Sequence, residues 1–154
     1  MGFTLGGIVA GEGTFCTANA MPPYADGSAR TRFIFEVRMA DRDLSVLRAL
    51  RQFLGTGSIN VQPAPRANWL PIASFSVHSH RAHRSRTIPF AERFLFPGAK
   101  RRQFEQWRDA LYEYEALHPN RFGLGPSPCR IDGCDKPVRG RGLCRSHYYR
   151  ETGY

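Results

Sequence analysis

The sequence predicts an α+β protein, a four-stranded antiparallel sheet with helices on one face. Three observations carry that prediction. Arg30 to Met39 alternates strictly, with Phe33, Phe35 and Val37 on one side and Arg30, Arg32, Ile34, Glu36 and Arg38 on the other, the period of a half-buried strand. Leu44, Leu47, Leu50, Phe53 and Leu54 recur at the spacing of a helix that buries one stripe. Segments of these two kinds follow one another as helix, two strands, helix, two strands, helix, helix, which folds as one sheet layered with helices.

The first element is Leu5-Gly6-Gly7-Ile8-Val9-Ala10-Gly11-Glu12-Gly13-Thr14-Phe15, an apolar run of small residues ending in one carboxylate between two glycines. As a helix it places Gly7 and Gly11 four apart on one face, where another backbone can come close. Thr14 to Ala20 reads as a strand, with Cys16 a small packed residue, and Met21 to Gly27 as a loop. After the Arg30 strand, Asp41 is placed to cap the leucine helix and Gly55 to end it. Gly57 to Gln62 and Ile72 to His78 are the remaining strands, with Ala73, Phe75 and Val77 facing inward. Thr87 to Phe96 predicts a short helix stopped by Pro97-Gly98. Lys100 to Leu117 predicts a longer one that buries Phe104, Trp107, Leu111 and Tyr114 and ends before Pro119.

This arrangement leaves one sheet face bare, populated by Arg30, Arg32, Glu36, Arg38, Asn60, Gln62, Ser76 and His78. A curved antiparallel ribbon with that chemistry fits a major groove, where arginine reads guanine and Asn or Gln reads adenine. By composition alone an ordinary solvated face is the alternative. The charge balance favours DNA: the 154 residues hold 22 basic and 13 acidic side chains, and the pI is near 10.0. Arg81, Arg84, Arg86, Arg93, Lys100, Arg101 and Arg102 run together against a single acid, Glu92. An acidic membrane surface is the competing partner, but no basic amphipathic helix supports it. No apolar run reaches the roughly 18 residues of a membrane span. The N-terminal run lacks a basic leader and is interrupted by Glu12, so it is not a signal peptide. The expectation is a cytoplasmic protein, of a bacterium or a phage-infected host, whose thiols stay reduced.

Gly123 to Pro128 is a linker by composition, dividing a domain at 1–122 from a module at 129–154. Within that module lies Cys129-x4-Cys134-x9-Cys144-x2-His147. Three thiolates and an imidazole at such spacing form a tetrahedral zinc site closed by four protein ligands, hence structural. The Cys-x2-His pair before Tyr148 and Tyr149 suits a helix start, and Gly133, Gly140 and Gly142 supply turns. So short a segment has almost no apolar core, and the metal would hold its fold. It is similar to the treble-clef-like zinc knuckles found beside phage and bacterial nuclease domains. Arg130, Lys136, Arg139, Arg141, Arg145 and Arg150 around it, against Asp132, Asp135 and Glu151, point to extra DNA contact. A protein-interaction knuckle is the alternative.

The opening segment resembles the signature helix of the LAGLIDADG homing endonucleases. The similarity continues through Asp41 to Gly57, where an acid opens a leucine helix closing on Phe53-Leu54-Gly55-x-Gly57. It includes Ile88-Pro89-Phe90 and then Gly98-Ala99-Lys100-Arg101-Arg102-Gln103-Phe104-x-x-Trp107, covering residues 1 to 118. Ala10 stands where the family name spells aspartate, and Glu12 replaces the final aspartate. The resemblance implies that Glu12 is the catalytic acid and that Lys100 is the basic residue near the scissile phosphate, stabilising developing charge or polarising solvent. A phosphate-positioning or merely exposed lysine is the other reading of Lys100. Arg101 and Arg102 are expected on backbone phosphates.

The motif occurs once, and one carboxylate cannot hydrolyse two phosphodiesters. The implied enzyme is therefore a homodimer in which Gly7 and Gly11 pair two copies of the helix. Two Glu12 side chains brought together would repel unless cations intervened, and Mg2+ suits them, with the Gly11 carbonyl a further ligand. The expected function is site-specific double-strand cleavage of DNA in the homing manner. Two alternatives stay open: a DNA-binding regulator on the same fold that no longer cuts, and an RNA-binding splicing cofactor (a maturase).

Overall fold

A computed structural model describes residues 1–20, 30–64, 66, 68–118, 129–134, 136, 138–140 and 142–152. They fall into two compact units, Met1–Leu111 and Tyr112–Tyr154. In the first, α1 (Gly2–Glu12) runs directly into β1 (Gly13–Ala20), followed by β2 (Arg30–Ala40), α2 (Leu44–Leu54), β3 (Ser58–Gln62) and β4 (Ile72–Val77). Then come α3 (His80–Ala82), a π turn (His83–Thr87), α4 (Ile88–Phe94) and α5 (Ala99–Leu117), whose last residues belong to the second unit. That unit contains β5 (Val138–Gly140), β6 (Leu143–Cys144) and α6 (Arg145–Thr152). The expected loop at Met21 to Gly27 and the linker at 123–128 lie outside the described residues, as do Asp135 and Arg141. No helix among the described residues is long and apolar enough to cross a membrane.

The main sheet is antiparallel throughout, in the order β1-β2-β4-β3. Alternation decides its inner face. Phe15, Phe33, Phe35, Val37, Ala73, Phe75 and Val77 are at most 3% exposed, and the helices cover them with Val9, Leu47, Leu50, Leu54, Ile88, Phe90, Phe104 and Trp107. Phe15 stacks on Phe35 with centroids 4.9 Å apart and meets the rings of Phe104 and Trp107 at 5.2 and 5.4 Å. Each such ring taken from water stabilises the fold by about 1.5–3 kcal/mol. Phe53 is only half-covered, its ring resting edge-on against Phe90 and Phe94.

α1 crosses α4 over glycine. A β-carbon on Gly6 would stand 2.2 Å from the Phe94 carbonyl oxygen, so only hydrogen fits there. Gly7 and Gly11 have nothing within 4 Å of theirs. The pair singled out in the sequence therefore plays no part in packing within the first unit, and the residue that does, Gly6, is its neighbour.

Three local expectations are corrected. Asp41 does not cap α2: it begins a 3-10 turn (Asp41–Asp43), Ala40 holds the extended cap position, and no side chain there bonds the helix end. The Asp41 N–H instead donates to the Pro71 carbonyl at 3.0 Å, tying the end of β2 to the start of β4. Helical structure also begins well before Thr87, at His80. Ser79 Oγ accepts from the Ala82 N–H at 3.4 Å, and the π turn ends just before Pro89, which has no N–H to continue an α-helical ladder. Gly140 lies in β5, whereas Gly133 and Gly142 take the positive φ of the turns. Gly55 ends α2 in the left-handed conformation, as expected.

Candidate functional site

α1 delivers Glu12, exposed, to the point where the sheet begins. The Gly13 N–H closes the last turn on the Val9 carbonyl, and the Gly13 carbonyl accepts a hydrogen bond from Lys100 Nζ. Lys100, 87 residues further along the chain, is thus fixed against the backbone next to Glu12. Of the two residues expected to be catalytic, one ends α1 and the other, in the first turn of α5, bonds the backbone carbonyl of the residue that follows Glu12. Beside them, Gly7 and Gly11 lie on an uncovered face of α1 that also carries Phe3, 60% exposed.

The expected sheet face is present as one surface. Register places Ser58 beside Ser76 and Ser76 beside Glu36, with Asn60 beside Ser74 and Ser74 beside Arg38. Arg30, Arg32, Glu36, Arg38, Asn60 and Gln62 all lie on the side opposite the core. Parts of it are already knit together: Arg38 Nε meets Glu36 Oε2 at 2.9 Å, Ser58 Oγ meets Ser76 Oγ at 3.4 Å, and His78 Nε2 meets Ser76 Oγ at 3.1 Å. Cys16 belongs to this surface, opposite Ile34, and not to the core. Partial burial, reinforced by Glu36 and opposed by Arg38, raises its thiol above the ordinary value, which leaves it un-ionised and unreactive.

The basic run from Arg81 to Arg102 divides. Arg81 and Arg86 line a cleft with the end of α2 instead of standing on the strands, and Arg84 and Arg102 are exposed. Arg101 is turned inward, which corrects its assignment to phosphate. Its Nε pairs with Glu105 Oε1 at 2.8 Å, and its Nη1 donates to the Glu92 carbonyl at 2.8 Å and to those of Ala91 and Leu95 at 3.3 and 3.4 Å. A guanidinium spent on the last carbonyls of α4 is a helix cap.

His83 was hidden in that run. It is fully buried, its Nε2 lies 3.0 Å from the Phe33 carbonyl, and its ring stands edge-on to Trp107 with centroids 4.9 Å apart. A carbonyl can only accept, so Nε2 carries the proton and Nδ1 is free to accept from Thr87 Oγ1 at 3.4 Å. Burial, with help from His80 and His78 and against the Phe33 hydrogen bond, lowers its pKa to about 4. Trp107 Nε1 in turn donates to the Cys16 carbonyl at 3.0 Å. These two bonds fasten the helix layer to β1 and β2.

In the second unit the four expected ligands converge: Cys129 Sγ, Cys134 Sγ, Cys144 Sγ and a His147 nitrogen all lie within 4.8 Å of one another. Cys134 Sγ and Cys144 Sγ are 3.8 Å apart, and His147 Nδ1 is 3.2 Å from Cys129 Sγ and 3.5 Å from Cys144 Sγ. A tetrahedron with metal–sulfur arms of about 2.3 Å has edges of about 3.8 Å, slightly less towards nitrogen, so the set fits zinc. Burial works against ionisation of Cys129, but the N–H groups of Cys144 and Ile131 outweigh it and hold the thiol below its ordinary value. The His147 N–H does the same for Cys144. The unit's small core is Leu143 with the buried cysteines, and Cys134 and Tyr148 pack against it. Outside it, Arg130 forms a two-pronged bridge to Glu151 at 2.8 Å.

Solved structures show the same fold. The chain superposes on the DNA-bound meganuclease I-SmaMI with a TM-score of 0.64 and 20% identity, over 78% of its own length and 40% of that protein's. It is also similar to the LAGLIDADG homing endonuclease I-LtrWI bound to target DNA, with a TM-score of 0.63 and 20% identity over 73% and 36% of the two chains. I-SmaMI with uncleaved DNA and calcium ions matches with a TM-score of 0.65, at 20% identity over 79% and 39% of the two chains. The four-stranded sheet with its helices is therefore the fold of LAGLIDADG endonucleases, and the chain spans about two fifths of the length of these relatives. No protein-family model matches the chain, and no curated protein matches it in sequence.

Proposed function

We propose that the chain is one half of a homodimeric, magnesium-dependent, site-specific double-strand DNA endonuclease of the homing type, with its domain at 1–122 and a zinc knuckle at 129–154. The observation that carries the reading is the meeting of Lys100 with the backbone beside Glu12, at the end of a helix whose Gly7–Gly11 face is uncovered. The solved neighbours, bound to DNA, are more than twice as long as the portion this chain matches, which supports a second copy as the missing half. That copy would set two Glu12 carboxylates side by side at the ends of paired helices.

Exposed carboxylates and carbonyls at a helix C-terminus make a hard oxygen donor set, suited to Mg2+ held by Glu12 and the Gly11 carbonyl. When bound, the metal would supply charge stabilisation at the scissile phosphate. Lys100, restrained by the Gly13 carbonyl, would hold its ammonium close to the same phosphate as negative charge builds. Arg30, Arg32, Asn60 and Gln62 on the open sheet face would read base edges, and Arg102 would meet the backbone. The knuckle's zinc would be structural, its exposed basic residues lengthening the DNA contact.

The test is linearisation of a plasmid carrying the uninterrupted insertion site, with Mg2+. Wild type should cut, and Glu12→Gln should bind equally but cut at least about 100-fold more slowly, as expected when a ligand of the cleaving metal is lost. Tight binding without cutting by wild type would make the protein a regulator. Better retention of host intron RNA than of DNA would make it a splicing cofactor.

A further inference from the structure

The helix side of the first unit carries a second basic surface that the open sheet face does not explain. Two adjoining clefts, of about 400 and 340 Å3, share Gly55 and Thr56, the turn that ends α2. Arg48, Arg51 and Gln52 line one, and Arg81, Ser85 and Arg86 line the other. Leu47, Leu50 and Leu54 form the buried stripe of α2, so Arg48 and Arg51 stand on its exposed flank, away from the strands. Arg81 and Arg86 are exposed as well. No carboxylate among the described residues engages any of these four guanidiniums, whereas Arg38, Arg101, Arg108 and Arg130 each have one.

Four cations set around two adjoining clefts, with no carboxylate partner among the described residues, raise each other's energy, and an anion that spans them relieves it. Both clefts are open to solvent rather than enclosed. A trough with charges spread along it suits a chain of phosphates better than a single small molecule, and guanidinium forks match phosphate oxygens. We propose that this surface holds a second segment of nucleic-acid phosphodiester backbone, separate from any segment on the open sheet face. A protein so equipped bridges two stretches of nucleic acid, or two parts of one folded strand.

The test is stepwise binding. The full-length protein, saturated with an unlabelled DNA duplex, is titrated with a fluorescent duplex and, in a separate arm, with a fluorescent single-stranded RNA of the same sequence. Fluorescence anisotropy should report a second binding event in at least one arm, and the arm identifies the backbone held. Arg48→Ala/Arg51→Ala and Arg81→Ala/Arg86→Ala should each weaken that event at least tenfold. Each should also flatten its log K against log salt slope by about two, since each phosphate contact with duplex contributes about 0.9. Arg48→Lys/Arg51→Lys should keep most of the slope, which separates loss of charge from loss of fold. Arg30→Ala/Arg32→Ala should weaken the first event and leave the second. No second event with wild type, or a second event indifferent to both alanine pairs, overturns the proposal. So does a fall in both events together on Arg48→Ala/Arg51→Ala. Because the two events are scored separately, failure of the sheet face to bind DNA is distinguishable from failure of this second surface.

Discussion

His83 gives the protein a measurable acid sensitivity. Its folded pKa is about 4 against an ordinary 6.5. The folded state therefore binds fewer protons than the unfolded state across that interval. The stability contributed by the neutral ring is complete above pH 6.5 and is lost as pH falls towards 4. At about 1.4 kcal/mol per pH unit, the full window is worth about 3 kcal/mol, of which about 2 kcal/mol goes between pH 7 and pH 5. The cause is geometric: Nε2–H must donate to the Phe33 carbonyl, so the incoming proton lands on Nδ1, buried beside Thr87 with no carboxylate among the described residues acting on it. To isolate this ring from every other ionisable group, the comparison is with His83→Gln, which can donate to Phe33 but cannot ionise. Urea unfolding followed by tryptophan fluorescence, at fixed protein concentration and at several pH values from 7 to 5, should show the wild type losing about 2 kcal/mol more than the variant. Parallel stability curves for the two proteins would refute the assignment of a buried neutral imidazole.

Adjacent glycines should respond in opposite ways. Gly6→Ala pushes a methyl group into the Phe94 carbonyl and should destabilise the fold by about 1–3 kcal/mol in urea. At Gly7 an added β-carbon meets nothing within 4 Å, so Gly7→Ala should leave the thermal midpoint little changed while sedimentation shows weaker association of the proposed dimer. Cys134→Ser should lower the zinc measured by mass spectrometry from one per chain to near zero and expose the second unit to proteolysis, as should strong chelation of the wild type. Arg101→Ala should cost about 2 kcal/mol in urea by uncapping α4, with DNA affinity unaltered, whereas Arg102→Ala should lower affinity with stability unaltered.

The sheet was legible because its signals are local. Phe33, Phe35 and Val37 obey a period of two, and Ala73, Phe75 and Val77 repeat it, so a single register satisfied both strands. The Cys3His cluster was legible for a different reason: thiols and imidazole gathered in a segment with little else to form a core have few other uses. Helix α3 and the π turn were not. Their sequence, His80-Arg81-Ala82-His83-Arg84-Ser85-Arg86-Thr87, has no apolar stripe, and its inward residues are His83 and Thr87. Polar residues that pack by hydrogen bonding leave no hydrophobic period to read.

The same blindness explains Arg101 and the arginine clefts. Sequence gives the sign and number of charges but not whether each is already neutralised within the fold. Arg101 and Arg102 are neighbours of identical chemistry, yet α5 aims the first at the carbonyl ends of α4 and leaves the second in solvent. Arg48 and Arg51 lie on the outer face of an amphipathic helix. They became notable only when the turn at Gly55 set them beside Arg81 and Arg86 from another part of the chain. Glu12 and Lys100 belong to the same class of fact, since their proximity depends on α5 crossing the start of β1. What the fold adds to the sequence, in this protein, is the assignment of partners to charges, and the nucleic-acid surfaces proposed for it rest on which charges are left over.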